Sequence, residues 1–128
     1  MSVVLVVDDH RDTCRLLARL LRAEGIDAVM VESGQAALTF ARDAQQKPAL
    51  VLLDVMMPEM SGFETLERLR STPAADVPVI MLTAVSDDES QRRAKDLGAA
   101  DYWVKGTFDP GKLGQMVRRH LGSTRAAS

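Results

Sequence analysis

At 128 residues the chain is long enough for one domain around a single core, and 46% hydrophobic with 27% charged residues is ordinary globular composition. A formal net charge of −2 gives no electrostatic case for nucleic acid or an anionic membrane as partner. Apolar runs of about five residues fall far short of the roughly 20 that a membrane-spanning helix needs.

Met1-Ser2 opens directly into Val3-Val4-Leu5-Val6-Val7, with no basic segment or long apolar stretch of a secretory leader. That run reads as a strand buried on both faces and ends in Asp8-Asp9. Residues Arg11 to Ala23 place Cys14, Leu17, Leu20 and Leu21 on one helical face, and Gly25 suits a helix stop. The lone Cys14 excludes an internal disulfide and fits a reducing compartment, so the expected location is the cytoplasm. Asp27 to Val31 reads as a second strand. Ser33 caps a helix carrying Ala37, Leu38, Phe40 and Ala41. Leu50-Val51-Leu52-Leu53 ends in Asp54, and Ser61 caps a helix with Phe63, Leu66 and Leu69 inward.

Pro73 and Pro78 bracket the next loop, because neither fits a helix interior. Val79-Ile80-Met81-Leu82 ends in Thr83. Asp87, Asp88 and Glu89 complement the positive end of a helix running to about Leu97, which Gly98 terminates. Asp101-Tyr102-Trp103-Val104 ends in Lys105. Asp109-Pro110 opens the last helix, whose apolar face is Leu113, Met116, Val117 and Leu121, although Gly111 and Gly114 weaken it. Five strand–helix units predict a doubly wound α/β sandwich with right-handed crossovers over residues 1–122. Ser123 to Ser128 reads as a frayed tail or the start of a linker.

In a parallel sheet, chemistry gathers at the carboxyl ends of the strands. Asp8, Asp9, Asp54, Thr83 and Lys105 would therefore meet. Three adjacent carboxylates repel one another, so such a cluster implies a cation, and hard oxygen donors favour Mg²⁺ over zinc. A carboxylate nucleophile, a divalent cation, a lysine and a hydroxyl make a phosphoryl-acceptor site.

From the first strand to the last helix the chain resembles the receiver domain of two-component response regulators. The motifs that carry the resemblance are Val7-Asp8-Asp9, Leu53-Asp54-Val55-Met56-Met57-Pro58-Glu59-Met60-Ser61-Gly62, Met81-Leu82-Thr83-Ala84 and Gly98-Ala99-Ala100-Asp101-Tyr102-Trp103-Val104-Lys105. The resemblance implies a flavodoxin-like sheet of order 2-1-3-4-5. It implies Asp54 as phosphoacceptor, charged by a sensor histidine kinase or a histidine phosphotransfer protein. It implies Mg²⁺, with Mn²⁺ able to substitute, held by Asp9, Asp54 and the Met56 carbonyl, with Asp8 acting through water. Lys105 corresponds to the lysine that pairs with Asp54 and then with a phosphoryl oxygen. Thr83 corresponds to the switch hydroxyl and Tyr102 to the switch aromatic that fills the space Thr83 leaves. The reshaped surface of the fourth helix, fifth strand and fifth helix would meet a downstream protein, and dimerisation through the fourth and fifth helices is a family habit.

Where the family has proline after the lysine, this chain has Gly106, so the Lys105–Gly106 bond is either cis at a cost of about 2.5–4 kcal/mol or trans in a different loop. Met56 and Val85 are apolar where the family tunes dephosphorylation, which predicts slow self-hydrolysis. His10 and Cys14 stand four residues apart, but no further ligands join them and Cys14 faces the core. Met56, Met57 and Met60 read as adaptable filler, and Arg92, Arg93 and Lys95 as a solvated helix face that also offers partner contacts. The leading function is a phosphorylation-controlled binding module that is not a multiple-turnover enzyme. A phosphorelay intermediate is the alternative. A hydrolase of the haloacid dehalogenase type ranks last, because Met56 stands where that class has a second acid.

Overall fold

The computed structural model describes residues 3–107 and 109–121. β1 (Val3–Val7), β2 (Asp27–Val31), β3 (Leu50–Leu53), β4 (Val79–Thr83) and β5 (Asp101–Val104) form one sheet of order β2-β1-β3-β4-β5. All four pairings are parallel, with Val7 opposite Leu53, Leu53 opposite Met81 and Thr83 opposite Val104. The expected topology is therefore present. The tail reading of Ser123 to Ser128 lies outside the described residues.

Strand side chains alternate between two apolar layers, which is why these runs carry no polar alternation. Leu5, Val7, Val51, Leu53, Val79 and Met81 pack on one face, beneath α2 (Gly34–Arg42), α3 (Gly62–Leu69) and α4 (Asp88–Asp96). Val4, Val6, Leu50, Leu52, Ile80 and Leu82 pack on the other, beneath α1 (Arg11–Ala23) and α5 (Leu113–Leu121). Ser33, Ser61 and Asp87 cap α2, α3 and α4 by accepting from Ala36, Glu64 and Ser90 N–H groups. The last helix differs from expectation at its start. Pro110–Lys112 is a single 3₁₀ turn, and α5 begins only at Leu113. With Gly111 in that turn, the tighter bond from Lys112 N–H to the Asp109 carbonyl (2.9 Å) replaces the first α-helical turn.

Opposite the strand ends that carry the acidic residues, Arg70 fastens the fold. It donates to the carbonyls of Ala75 (2.8 Å), Val77 (3.3 Å) and Gly98 (2.8 Å).

Cys14 is buried under α1, and its thiol donates to the Asp8 carbonyl at 3.2 Å. Burial, and then the Asp8 charge, push this thiol up to about 11. Only a thiolate attacks an alkylating agent. Native protein at pH 8 is expected to resist iodoacetamide, and urea-unfolded protein to label fully; rapid native labelling, followed by mass, would contradict this packing.

Candidate functional site

β1, β3, β4 and β5 end side by side; Asp8, Asp9, Asp54 and Lys105 gather at one place, and Thr83 stands at the end of β4 beside them. Asp8 and Asp54 are 2% and 4% exposed and Thr83 is fully buried, in a chain whose other buried residues are almost all apolar. Lys105 Nζ closes the pocket, 2.5 Å from Asp8 Oδ2 and 3.6 Å from Asp54 Oδ2. The lysine thus pairs with both carboxylates, and the shorter contact is to Asp8. Its own N–H donates to the Thr83 carbonyl at 2.8 Å, which ties the end of β5 to β4.

Among the described residues every peptide bond is trans, that between Lys105 and Gly106 included. The chain turns instead through Gly106 at φ +85°, a left-handed conformation that glycine adopts without a side-chain clash.

The carboxylates are held unequally. Asp8 Oδ1 accepts from the His10 N–H at 2.9 Å, and Asp54 Oδ1 from the Met56 N–H at 3.4 Å. Asp9 Oδ1 is shielded from solvent and has no hydrogen-bond partner. His10 Nδ1 lies 3.2 Å from that oxygen, within ion-pair distance but outside hydrogen-bond geometry. One donor atom from each of Asp8, Asp9, His10 and Asp54 falls within 4.8 Å of all the others. His10 is the member that sequence reasoning missed. Its i, i+4 spacing directed attention to Cys14, whereas its position beside Asp9 is what brings it to the pocket.

Thr83 and Tyr102 meet through a third residue. The Val85 N–H donates to Thr83 Oγ1 at 3.3 Å, and the Tyr102 hydroxyl donates to the Val85 carbonyl at 2.6 Å. Burial, followed by the charges of Asp87 and Asp54, pushes the Tyr102 phenol above its usual range, so it remains a donor at neutral pH. Trp103 points the other way, into the core under α5, and its indole N–H donates to Asp101 at 2.9 Å. Beside Tyr102, an open cleft of about 510 Å³ is lined by Gln91, Arg92, Ala94, Lys95 and Ala99. Arg93 turns away from it, with its guanidinium 4.5 Å above the Phe63 ring. Of the methionines, Met56 is 65% exposed, whereas Met57 and Met60 pack against the core.

Residues 4–118 match the family model of the response regulator receiver domain. The chain is 39% identical over 118 residues to the DNA-binding response regulator MtrA of Mycolicibacterium paratuberculosis, covering 92% of this chain and 50% of that protein. The BeF3-activated N-terminal receiver domain of RstA from Klebsiella pneumoniae superposes with a TM-score of 0.84 at 30% identity, over 94% of this chain and 99% of that one. A CheY-like receiver domain protein from Methanospirillum hungatei gives 0.89 at 22% identity, over 100% and 99% of the two chains, a likeness of fold. The chain spans about half the length of the curated relatives it matches.

Proposed function

The chain belongs to the response regulator receiver family of two-component systems, and we propose that it works by accepting a phosphoryl group on Asp54. The observation that carries this reading is a carboxylate only 4% exposed, with Lys105 Nζ 3.6 Å from one oxygen and a backbone N–H on the other. The donor would be a phosphohistidine of a sensor kinase or phosphotransfer protein. An Asp54 oxygen forms the new bond to phosphorus as the phosphorus–nitrogen bond breaks, and the imidazole leaves with that electron pair. Lys105 neutralises charge at the acceptor and can then follow a phosphoryl oxygen.

The acidic pocket suits Mg²⁺, or Mn²⁺ in its place. Its donors are hard oxygens, and Asp9 Oδ1 is shielded without a hydrogen bond to satisfy it. Asp9 and Asp54, the Met56 carbonyl and, through water, Asp8 would hold the ion. When bound, it supplies positive charge against the phosphoryl oxygens.

The phosphoryl group on Asp54 would carry nearly two negative charges, about one more than the carboxylate it replaces, and three acceptor oxygens. A Thr83 hydroxyl that moves to donate to one of them draws away from the Val85 N–H, from which it accepts at 3.3 Å. Val85 also holds Tyr102 through its carbonyl, so a displacement of that residue reaches Tyr102 and the cleft beside it. Arg92 and Lys95 on the rim of that cleft are the natural contacts for a protein target, at the expected surface of α4, β5 and α5. Among the described residues no helix is long and apolar enough to cross a membrane, and the cytoplasm is the location this reading assigns.

Acetyl phosphate with Mg²⁺ is expected to add one phosphoryl mass to the intact chain, and acetyl phosphate with EDTA to add none. Equal gain under both conditions would refute the metal-assisted site. Once formed, the phosphate should be long-lived, because the exposed Met56 and the apolar Val85 offer no polar group to orient a water. Met56→Gln is expected to shorten its lifetime several-fold by the same mass assay; an unchanged lifetime would remove this explanation. A long-lived phosphate also suits onward transfer to a phosphotransfer protein, which incubation with candidate acceptors would detect.

A further inference from the structure

We infer that His10 is a fourth ligand of the acidic pocket and makes it selective for first-row transition dications over Mg²⁺. The inference rests on the reading of Asp8, Asp9 and Asp54 as a cation site.

His10 Nδ1 lies 3.2 Å from Asp8 Oδ1 and 3.2 Å from Asp9 Oδ1. Neighbouring ligands of an octahedral ion with bonds near 2.1 Å stand roughly 3 Å apart, so each separation matches a pair of adjacent ligands. The spread of 4.8 Å across all four residues exceeds the roughly 4.2 Å between opposite ligands by an amount that small side-chain rotations close. Asp9 Oδ1, shielded and without a hydrogen bond, shares this space with the imidazole nitrogen. The backbone beneath the ring is anchored. The His10 backbone N–H is fixed to Asp8 Oδ1 at 2.9 Å, and the residue occupies the N-cap of α1. The rest of the imidazole is open to solvent, which leaves the ion a route in and out.

An imidazole nitrogen changes what the pocket prefers. Mg²⁺ takes oxygen donors and keeps its waters, whereas Mn²⁺, Co²⁺ and Zn²⁺ gain from nitrogen ligands. The competing account is that His10 is a cation paired with Asp8, its nearest hydrogen-bonding carboxylate. The two accounts predict opposite signs. Removing a ligand weakens transition-metal binding, while removing a competing positive charge strengthens binding of every cation.

Calorimetric titration of the intact chain with MgCl₂, MnCl₂ and CoCl₂, at one pH and ionic strength, separates them. The proteins are the unaltered chain, His10→Ala, His10→Gln and Asp9→Asn, and the visible absorption of bound Co²⁺ reports its ligand set. Because an all-oxygen site also favours transition ions, the effect of the histidine change is decisive rather than the starting preference. His10→Ala and His10→Gln are expected to weaken Co²⁺ and Mn²⁺ binding about tenfold or more, leave Mg²⁺ within about twofold, and alter the Co²⁺ spectrum. Unchanged or tighter Co²⁺ binding in both histidine variants, with Asp9→Asn still abolishing Mg²⁺ binding, overturns the role of His10 and leaves the acidic site standing. If the unaltered chain binds none of the three ions, both readings fall.

Discussion

Asp54→Asn is expected to abolish the phosphoryl mass gain from acetyl phosphate altogether while making the unphosphorylated fold more stable. The two effects share one cause. Asp54 is one of three clustered carboxylates of which Lys105 pairs with two: its Oδ2 is 3.6 Å from the lysine, whereas Asp8 Oδ2 is 2.5 Å from it. Neither neighbour can take over as acceptor. Asp8 is engaged by Lys105 on one oxygen and by the His10 N–H on the other. Asp9 Oδ1 lies shielded beside His10 Nδ1, 3.2 Å away, and has no contact with Lys105 within ion-pair distance. Without an added cation, an amide at position 54 removes two repulsions and loses one attraction. At an effective dielectric near 20, with the carboxylates within 4.8 Å and the lysine at 3.6 Å, the difference favours the variant by about 2 kcal/mol. Intact-mass analysis and urea unfolding in EDTA measure the two effects. Phosphorylation of the variant equal to that of the unaltered chain would move the acceptor elsewhere, and a lowered unfolding midpoint would show that Lys105 outweighs the repulsion.

Gly62→Ala is expected to cost about 3 kcal/mol or more and to slow phosphorylation as well. A Cβ at this position would lie 2.0 Å from the Asp54 carbonyl oxygen and 2.9 Å from both the Asp54 carbonyl carbon and the Val55 Cα. All three are backbone atoms, so no side chain can swing aside. The contact is close because the Gly62 N–H donates to the Val55 carbonyl at 2.8 Å, drawing the start of α3 against the loop that leaves β3. Relief requires moving either α3, which buries Phe63, Leu66 and Leu69, or the backbone that aims Asp54. Urea unfolding gives the first cost and the acetyl phosphate reaction rate the second. A variant with normal stability and normal rate would mean that this approach is easily widened.

Strand ends, caps and the meeting of Asp8, Asp9, Asp54 and Lys105 were legible because each rests on local chemistry: an apolar run, a serine or aspartate before a helix, a polar residue where a strand stops. What escaped depends on distance across the fold. Nothing in the spacing of residues says that Lys105 sits closer to Asp8 than to Asp54, because both aspartates end neighbouring strands. The bridge between Thr83 and Tyr102 runs through the Val85 backbone, and backbone groups leave no mark in composition. The three carbonyls grasped by Arg70 belong to two separate loops, so its role emerges only when the chain closes. The 3₁₀ turn at Pro110–Lys112 lay within the ordinary ambiguity of a helix start near glycine.

α4 contributes only Ala94 to the buried core, against four residues from α1 and five from α3. Beyond that, Leu97 packs at its end and Arg93 rests on the face of Phe63. Local opening free energy follows buried apolar contact, so α4 stands nearest to release while the sheet stays closed. Its amides should exchange with deuterium well before those of α1 or α3. A signal arriving at Val85, three residues before α4 begins, therefore has little packing to overcome in moving that helix. Under the proposed phosphorylation, the energy of one phosphoryl group would go into altering a surface instead of breaking a core.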